Sequence, residues 1–467
     1  MEPATASLVQ GPMARGLPPG LPWPPIAQLI RWWRRPVHFF EGCARRYGDV
    51  FTIRFPRFLG VPGLPGSNIF VVFSDPEAVR EVFTGDGEVL KSGEANRRGD
   101  VIIRPGSLLL LDGARHLRER RLLQPLFHGE RMRAYGDVML AAAERAIDTW
   151  PLKRAFPILP SMQAVTLDVI LRTVFGLEEA GELEPLRNAL GRLLQILANP
   201  QRLGLQVDLG LLTPWGRLLR LLRSVDEMLL AAIARRRRLG AEGRADVLSL
   251  LIEARDETNA PLADAALRDE LITFLLAGHE TTATALAWTF HALLAHPDVL
   301  ARVRAELHGV VANGPLRVEH LVKLVFLDAT IKETLRLHPI VPFVVRRLAE
   351  PMRIGGCDLP AGVIAAPSIY LTQRRPDVWP DPLRFDPERF LGRAPSPYAY
   401  LPFGGGVRRC IGMAFALYEM RAVVAATLAR VDMRAAPGST VSLVRRGLTF
   451  APSAGMPIVV DARRPQG

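Results

Sequence analysis

Cysteine is scarce in this sequence. Its 467 residues include three cysteines, Cys43, Cys357 and Cys410, which are widely separated and form no Cys-x-x-Cys pair. This spacing argues against a disulfide scaffold and against a structural zinc site. Free thiols are typical of a reducing compartment, so we expect a cytoplasmic protein.

The N-terminal region lacks a long apolar run. The segment GLPPGLPWPP (residues 16–25) is a proline-rich hinge and not the apolar core of a signal peptide. The following IAQLIRWWRR is too short and too charged to cross a bilayer. We therefore expect no membrane span, a flexible tail over residues 1–20 and a single folded domain over residues 21–467.

Acidic residues are fewer than basic ones. The chain has 47 Asp and Glu against 59 Lys and Arg, which gives a formal net charge of +12 carried mostly by arginine. We interpret this surplus as a solvated arginine-rich surface, with a basic docking face for an acidic protein as the functional alternative. Zinc-finger spacing and blocks of aromatics between basic residues are missing, so we expect no nucleic-acid partner. We also expect a monomer.

Helical periodicity is the main pattern of apolar residues in the sequence. Residues 49–55 and 68–76 are strand-like, and Asp75 followed by Pro76 predicts the start of a helix. Residues 115–308 follow mainly helical spacing. One helix, from Asp264 to His296, is apolar on nearly every face, which predicts burial along most of its length. Residues 352–367 predict a hairpin. The pattern predicts a mainly α protein with a small β part.

Cys410 lies in the stretch FGGGVRRCIG, residues 403–412. Glycines let backbone N–H groups approach a ligand, and a helix start together with Arg408 and Arg409 favours the thiolate. A phosphatase-type loop would need an arginine where Ala416 stands, and a phosphate-binding loop would need Gly-Lys-Ser/Thr after its glycines. An inert buried cysteine fits the flanking charge poorly, so a metal or haem ligand remains.

The cysteine loop resembles that of a known family. Phe403, Gly406, Arg408, Cys410 and Gly412 fit the F-x-x-G-x-R-x-C-x-G signature of the cytochrome P-450 family, the haem-thiolate monooxygenases. The sequence resembles soluble bacterial members of this family over nearly its whole length. The resemblance implies that Cys410 is the axial ligand of the iron in haem b.

The segments KETLR and FDPERF resemble a second family feature. Glu333 and Arg336 lie three residues apart on one helix face, and Arg389 follows in the later meander. By resemblance these three side chains form a buried ion network that braces the loop carrying Cys410. The implied role is structural and not catalytic.

The segment AGHETT (residues 277–282) resembles the oxygen-activation motif of the family and lies in the middle of the long helix. By resemblance Gly278 makes room beside the haem where dioxygen binds. Thr281 is expected to hydrogen-bond to the oxygen being activated, with Glu280 in the path that delivers protons.

The segment HLRERR resembles the family's propionate-binding pattern. His116 and Arg120 lie four residues apart and share a helix face. By resemblance they bind the haem propionates, with Arg408 as a third contact and Arg346 or Arg347 as a fourth, spacing favouring Arg346. Cationic donors form strong charge-assisted hydrogen bonds to carboxylates.

The resemblance also implies the fold and the surroundings of the haem. The expected fold is the P-450 triangular prism of helices, with the long central helix over the haem and with Phe403 and Gly404 beside the cofactor. An apolar substrate pocket is implied, lined by Val101, Ile102, Phe274, Ala277, Ile340, Val341, Phe343 and Leu448.

The activity implied by the resemblance is monooxygenation of an apolar small molecule such as a fatty acid, a terpenoid or a macrolide-like compound. Two electrons from NAD(P)H, supplied through a separate ferredoxin and ferredoxin reductase, would reduce dioxygen, one atom of which enters the substrate. Arg118, Arg121 and Arg409 suit an acidic electron donor. A peroxygenase or isomerase on the same fold and a non-enzymatic haem-binding protein are the alternatives, and Glu280 and Thr281 argue against both.

Overall fold

The computed structural model describes most of the chain. The described residues are 16–56, 69–97, 102–127, 129, 131–177, 180–198, 210–255, 257, 259–312, 314–392, 394–447 and 449–464.

Helices make up most of the described residues. The α-helices there are α1 (Pro25–Arg34), α2 (Pro36–Tyr47), α3 (Pro76–Thr84), α4 (Ser92–Asn96), α5 (Gly113–Leu123), α6 (Arg131–Thr149), α7 (Ile158–Thr173), α8 (Ala180–Ala198), α9 (Pro214–Leu239), α10 (Val247–Glu253), α11 (Asp264–Ala295), α12 (Pro297–Val311), α13 (Val318–Leu321), α14 (Val325–Leu337), α15 (Ile369–Thr372) and α16 (Met413–Arg430).

The strands form small sheets beside the helices. They are β1 (Val50–Arg54), β2 (Ile69–Phe73), β3 (Leu90–Lys91), β4 (Ala155–Pro157), β5 (Arg346–Leu348), β6 (Met352–Ile354), β7 (Cys357–Leu359), β8 (Ile364–Pro367), β9 (Val431–Ala435), β10 (Leu443–Arg446), β11 (Thr449–Pro452) and β12 (Pro457–Arg463). Within the described residues, the largest sheet has the order β1-β2-β8-β5-β3, in which β2 and β8 run parallel and the other neighbours antiparallel. The expected fold class, mainly α with a small β part, is confirmed.

The long central helix α11 has the predicted position and length. Its 32 residues are buried along most of their length, against α7, α9, α14 and α16. It ends at Ala295 because Pro297 disfavours helical geometry at the preceding residue, and His296 has φ −127° and ψ 83°. Side chains such as Trp288 and Phe290 place this helix in the centre of the main hydrophobic core.

Local signals also gave the start of α3 correctly. The Asp75 carboxylate accepts hydrogen bonds from the N–H groups of Glu77 and Ala78, both at 3.0 Å, and Pro76 occupies the first turn. An aspartate at this position satisfies N–H groups that have no partner within the helix, which fixes where the helix begins.

Two predicted elements have different bounds in the structure. The hairpin expected over residues 352–367 consists of β6 and β7 and ends at Leu359. Strand β8 instead pairs with β2 and β5 in the largest sheet, because Ile364 and its neighbours are buried on both faces. The last helix, expected next to Cys410, begins at Met413 with Gly412 as its N-cap.

The N-terminal end of the described chain packs against β1. Thr52 donates its N–H to the Pro19 carbonyl at 2.8 Å and its hydroxyl to the Pro18 carbonyl at 2.7 Å. Residues 1–15 of the predicted tail lie outside the described residues. Across the described part of the chain, no helix combines the length and the apolar character that crossing a bilayer requires.

Candidate active site

The glycines before Cys410 allow the loop to approach α3 closely. Gly404 and Gly406 have φ values of +68° and +63°, which favour glycine. A Cβ atom at Gly405 would overlap the Phe83 ring, and one at Gly406 would overlap the Phe83 carbonyl oxygen. Packing against Phe83 is therefore one reason for the glycine run, which sequence reasoning had connected only with access to a ligand.

The Cys410 thiol lies in a recess of the protein. Its N–H donates to the carbonyl oxygen of Phe403 at 2.9 Å, which fixes the loop. The side chain has accessible surface, yet burial raises the pKa of the thiol more than the Gly412 N–H, Arg120 and Arg409 lower it. The helix start and Arg409 act on the thiol in the predicted direction, but burial outweighs them, so these groups alone do not hold the thiolate. A cation bound at the sulfur would favour the thiolate.

Four basic side chains converge near this recess. Burial, with Arg408, Arg120 and Arg346 as further causes in that order, lowers the pKa of His116 to about 3. Burial also lowers the pKa of Arg346 to about 10, and the neighbouring Arg408 adds to this effect. Asp112 is the counter-charge of Arg408, with a nitrogen–oxygen distance of 2.7 Å.

This basic cluster fits a ligand that carries carboxylates. Among the described residues, the side chains of His116 and Arg120 have no hydrogen-bond partner, although His116 is only 2% exposed. Side-chain donors without partners in the protein are available to a ligand, and carboxylates are the acceptors that basic side chains bind most strongly. Together with a cysteine sulfur in the same recess, this donor set fits a haem, whose propionates are carboxylates.

Arg346 and Arg347 have different surroundings. Arg346 is buried on β5 and donates to the Ser92 hydroxyl at 3.1 Å and to the Val345 carbonyl at 2.8 Å. Arg347 forms an ion pair with Glu94. The structure brings Arg346 together with His116 and Arg408, whereas Arg347 is already paired.

The acid–alcohol pair, Glu280 and Thr281, lies at the middle of α11. Thr281 donates its hydroxyl to the Ala277 carbonyl one turn earlier, at 2.6 Å. A Cβ at Gly278 would lie 3.2 Å from the Ile170 side chain of α7, so a glycine permits a close helix crossing here. The sequence argument had connected Gly278 only with space beside the haem.

Glu280 is held by two partners that sequence reasoning missed. Gln163 of α7 donates its amide to Oε2 at 2.6 Å, and Nε of Arg446 on β10 lies 2.9 Å from Oε1 as an ion pair. Burial raises the pKa of Glu280, while Arg446 and Gln163 act in the opposite direction. Neither partner has a local signal in the sequence, because Gln163 and Arg446 are distant from Glu280 along the chain.

The residues expected to line a substrate pocket fall into two groups. Ile102, Phe274 and Ile340 belong to the main core around α11, and Phe274 packs edge-on against Phe127 with ring centroids 5.1 Å apart. Ala277 of α11 is exposed.

Other expected lining residues lie elsewhere or outside the described chain. Phe343 packs in a second cluster, against Phe40 at 5.7 Å between ring centroids, and Val341 is half-buried. The place of Phe343 in the substrate pocket stays a prediction. Val101 and Leu448 lie outside the described residues.

The predicted ion network is present, and its Glu333–Arg336 pair is fully buried, whereas the Arg389 side chain is 12% exposed. Arg336 Nε donates to Glu333 Oε2 at 2.7 Å with both side chains 0% exposed, and Arg389 Nε lies 3.5 Å from Glu333 Oε1. Arg336 also donates to the Gln373 carbonyl at 2.8 Å, and Gln373 Oε1 accepts the Leu401 N–H at 2.8 Å. This chain of hydrogen bonds reaches the segment that leads into the Cys410 loop, and Gln373 was not predicted.

The fold and the site define a class of protein in which a cysteine loop and a long buried helix enclose a haem. The family profile described as Cytochrome P450 matches residues 16–456. Cytochrome P450 135B1 of Mycobacterium tuberculosis is 37% identical over 98% of this chain and 94% of that protein, and cytochrome P450 137 of the same organism is 37% identical over 95% and 91%. This chain belongs to the cytochrome P450 family.

Solved structures agree with this assignment. Retinoic acid bound cyanobacterial CYP120A1 is 25% identical with a TM-score of 0.81, covering 96% of this chain and 99% of that one. The cytochrome P450DA heme domain is 25% identical with a TM-score of 0.84, covering 96% and 97%. The protein is a haem-dependent monooxygenase and an oxidoreductase.

Proposed function

We propose that this monooxygenase hydroxylates or epoxidises an apolar small molecule with two electrons that a separate ferredoxin and ferredoxin reductase pass on from NAD(P)H. The observation that carries the proposal is the Glu280–Thr281 pair at the middle of α11, with Glu280 held in place by Gln163 and Arg446. Overall, dioxygen, two electrons, two protons and the substrate give one oxygenated product and one water.

Haem, when bound, supplies the iron chemistry that activates dioxygen. Cys410 would hold the haem iron through its sulfur. His116, Arg120, Arg346 and Arg408 are the proposed partners of the propionates. To bind a propionate, Arg408 would either leave Asp112 or contact both carboxylates at once. Contact with both is possible because a guanidinium has five donor N–H groups.

Thr281 and Glu280 are the proposed proton-handling residues. The Thr281 hydroxyl, which donates to a backbone carbonyl in the structure, can also accept or donate toward the reaction site. Glu280 is buried and its pKa is raised, so it can hold a proton nearer neutral pH than an exposed glutamate does. Release of Glu280 from Arg446 would let the carboxyl exchange protons between solvent and Thr281.

An apolar substrate is supported by the residue types of the predicted pocket lining. Phe274, Ala277 and Ile340 are all hydrocarbon side chains, and an apolar lining favours ligands with little polar area. The solved relative with retinoic acid bound holds a largely apolar molecule. Fatty acids, terpenoids and macrolide-like compounds all satisfy this requirement.

Ferredoxin docking is proposed at the exposed arginines near the cysteine loop. Arg118, Arg121 and Arg409 are exposed, and the Arg121 side chain is 75% accessible with its pair to Glu257 at 3.9 Å. Such charges increase association rates with an acidic partner at low salt. Turnover that is independent of ionic strength would contradict this docking face.

The deciding experiment for the site is a reduced carbon monoxide spectrum with a matched control. The purified wild-type protein should show the strongly red-shifted Soret band of thiolate ligation. Cys410→Ser should lose that band, whereas Cys357→Ser should retain it, because Cys357 lies on the β6–β7 hairpin. A red-shifted band that survives in Cys410→Ser would overturn the assignment.

The coupling of electron consumption to product formation distinguishes the monooxygenase from the alternative reactions on the same fold. Thr281→Ala should divert electrons from product to reduced oxygen species in turnover with ferredoxin, reductase and NAD(P)H. Coupling that is unchanged in this variant would favour a peroxygenase or isomerase, since these reactions need no delivery of protons to dioxygen.

A further inference from the structure

The first helix, α1, exposes an apolar stripe that the packing of the fold does not require. Ile26, Ile30 and Trp33 are 42%, 45% and 37% exposed. They follow the i, i+4, i+7 spacing, so they lie on one face of the helix. Isolated exposed apolar residues are normal, but a stripe of large ones along one helix is not.

The opposite face of α1 fixes the helix rigidly on the domain. Leu29 and Trp32 are buried at 1% and 3% exposure. The Gln28 amide donates to the Trp23 carbonyl at 2.8 Å, and its oxygen accepts the Arg54 N–H at 2.9 Å. The exposed stripe is therefore presented by a helix whose orientation is set by the core.

Basic side chains lie on the same helix as this stripe and on α2, which follows it. Residues 25–47 contain a single acidic residue, Glu41, and five arginines, a local net charge of +4. All five arginines are exposed, and these are Arg31, Arg34, Arg35, Arg45 and Arg46. An apolar stripe beside a row of arginines is the pattern of a helix that lies in a membrane interface.

We propose that the α1 face docks on the surface of an anionic lipid membrane. Ile26, Ile30 and Trp33 would enter the boundary between headgroups and acyl chains, while Arg31, Arg34 and their neighbours contact lipid phosphates. The binding is peripheral and reversible, and it is independent of how electrons are supplied.

Charge and size favour a lipid surface over the other possible occupants. A symmetric contact between two copies would bring the Arg31, Arg34 and Arg35 side chains of both copies together, and like charges oppose association. A stable protein partner needs roughly 800 Å² on each side, which one ten-residue helix with three apolar side chains does not supply. A lipid surface sets no such minimum area.

The test is co-sedimentation of the haem-loaded full chain with vesicles at low salt. One set contains phosphatidylcholine mixed with phosphatidylglycerol and the other phosphatidylcholine alone. The proposal expects binding to the anionic set and much weaker binding to the neutral set. The double variant Arg34→Gln/Arg35→Gln should bind roughly five-fold more weakly for each arginine removed. Added salt should also weaken binding.

The apolar part is tested by Ile26→Ser with Ile30→Ser, which should abolish sedimentation while leaving the carbon monoxide spectrum intact. Matched controls are Leu383→Ser, at a site 73% exposed, and Arg238→Gln at the exposed end of α9, and both should bind as the wild type does. Absence of binding to anionic vesicles, or equal binding by the α1 variants, would overturn the proposal. Self-association in analytical ultracentrifugation that Ile26→Ser with Ile30→Ser abolishes would instead make this face an interface between copies.

Discussion

The carboxyl group of Glu270, two turns before Gly278 on α11, is expected to be protonated in the folded protein at neutral pH. The side chain is 1% exposed, and Oε1 accepts the Leu108 N–H at 2.8 Å. Burial, followed by the nearby charge of Glu119, raises the pKa of Glu270 to about 8 from an ordinary value of 4.5. Its second oxygen is buried without a hydrogen-bond partner among the described residues.

This pKa makes the free energy of unfolding depend on pH with a definite sign. Between pH 4.5 and about 8 the folded state holds a proton at Glu270 that the unfolded state has released. The stabilisation is complete below pH 4.5 and is lost as the pH rises through about 8. The difference between the folded and unfolded pKa values corresponds to about 5 kcal/mol in the free energy of unfolding, at 1.36 kcal/mol for each pKa unit.

The perturbation is Glu270→Gln, because an amide keeps an oxygen for the Leu108 N–H but carries no charge at any pH. Urea unfolding of wild type and variant at a series of pH values between about 5 and 8 should show a smaller decline with pH in the variant. Infrared spectra should show a protonated carboxyl band in the wild type that disappears as the pH rises and that is missing in the variant.

The matched control is Glu227→Gln on the exposed side of α9, whose unfolding should follow the wild type across this range. Since other groups titrate too, the relevant quantity is the difference between wild type and each variant. A Glu270→Gln variant that loses stability with pH as steeply as the wild type would show that Glu270 is ionised in the fold, and the reasoning would be refuted.

Three further outcomes are expected. Glu333→Gln should lower the free energy of unfolding, measured by urea titration, by roughly 3–5 kcal/mol, because Arg336 would remain buried without its counter-charge. A loss below about 1 kcal/mol would contradict this expectation. Gly405→Ala should reduce haem retention and stability, and its effect should be smaller in a Phe83→Ala background, where the ring that it overlaps is gone; an equal effect in both backgrounds would show another cause. Cys43, whose thiol pKa is raised to about 12 by burial, should react with iodoacetamide only after unfolding, and rapid labelling of the native protein would contradict its burial.

Sequence alone predicted those features that depend on neighbouring residues. The bounds of α11 followed from its apolar composition and from Pro297, and the start of α3 followed from Asp75 and Pro76. The Glu333–Arg336 pair was also accessible, since three residues along a helix place two side chains on one face. These signals act within one or two helical turns and need no knowledge of the tertiary structure.

Features that depend on contacts across the chain could not be predicted in this way. Gln163 and Arg446 reach Glu280 from α7 and β10, and no spacing rule connects these three positions. The raised pKa of Cys410 follows from burial, which the glycines and arginines next to it in the sequence do not reveal. Hence the residue types of the site were accessible from the sequence, whereas its electrostatics required the fold.

The segment between α4 and α5 joins the two sides of the site through one residue, Leu108. The Leu108 N–H donates to Glu270 on α11, and its carbonyl oxygen accepts from Arg408, two residues before Cys410, at 3.2 Å. Gly106 adds a second attachment to α11 through Asp269, at 2.9 Å. Because both groups belong to Leu108, one on each side of its Cα, the position of the segment on α11 and the position of Arg408 are linked through the backbone of one residue. Charging Glu270 at high pH adds repulsion with Glu119 and Asp269, whereas the hydrogen bond from the Leu108 N–H favours the charged form, so the protonation of Glu270 is coupled to the contacts of this segment.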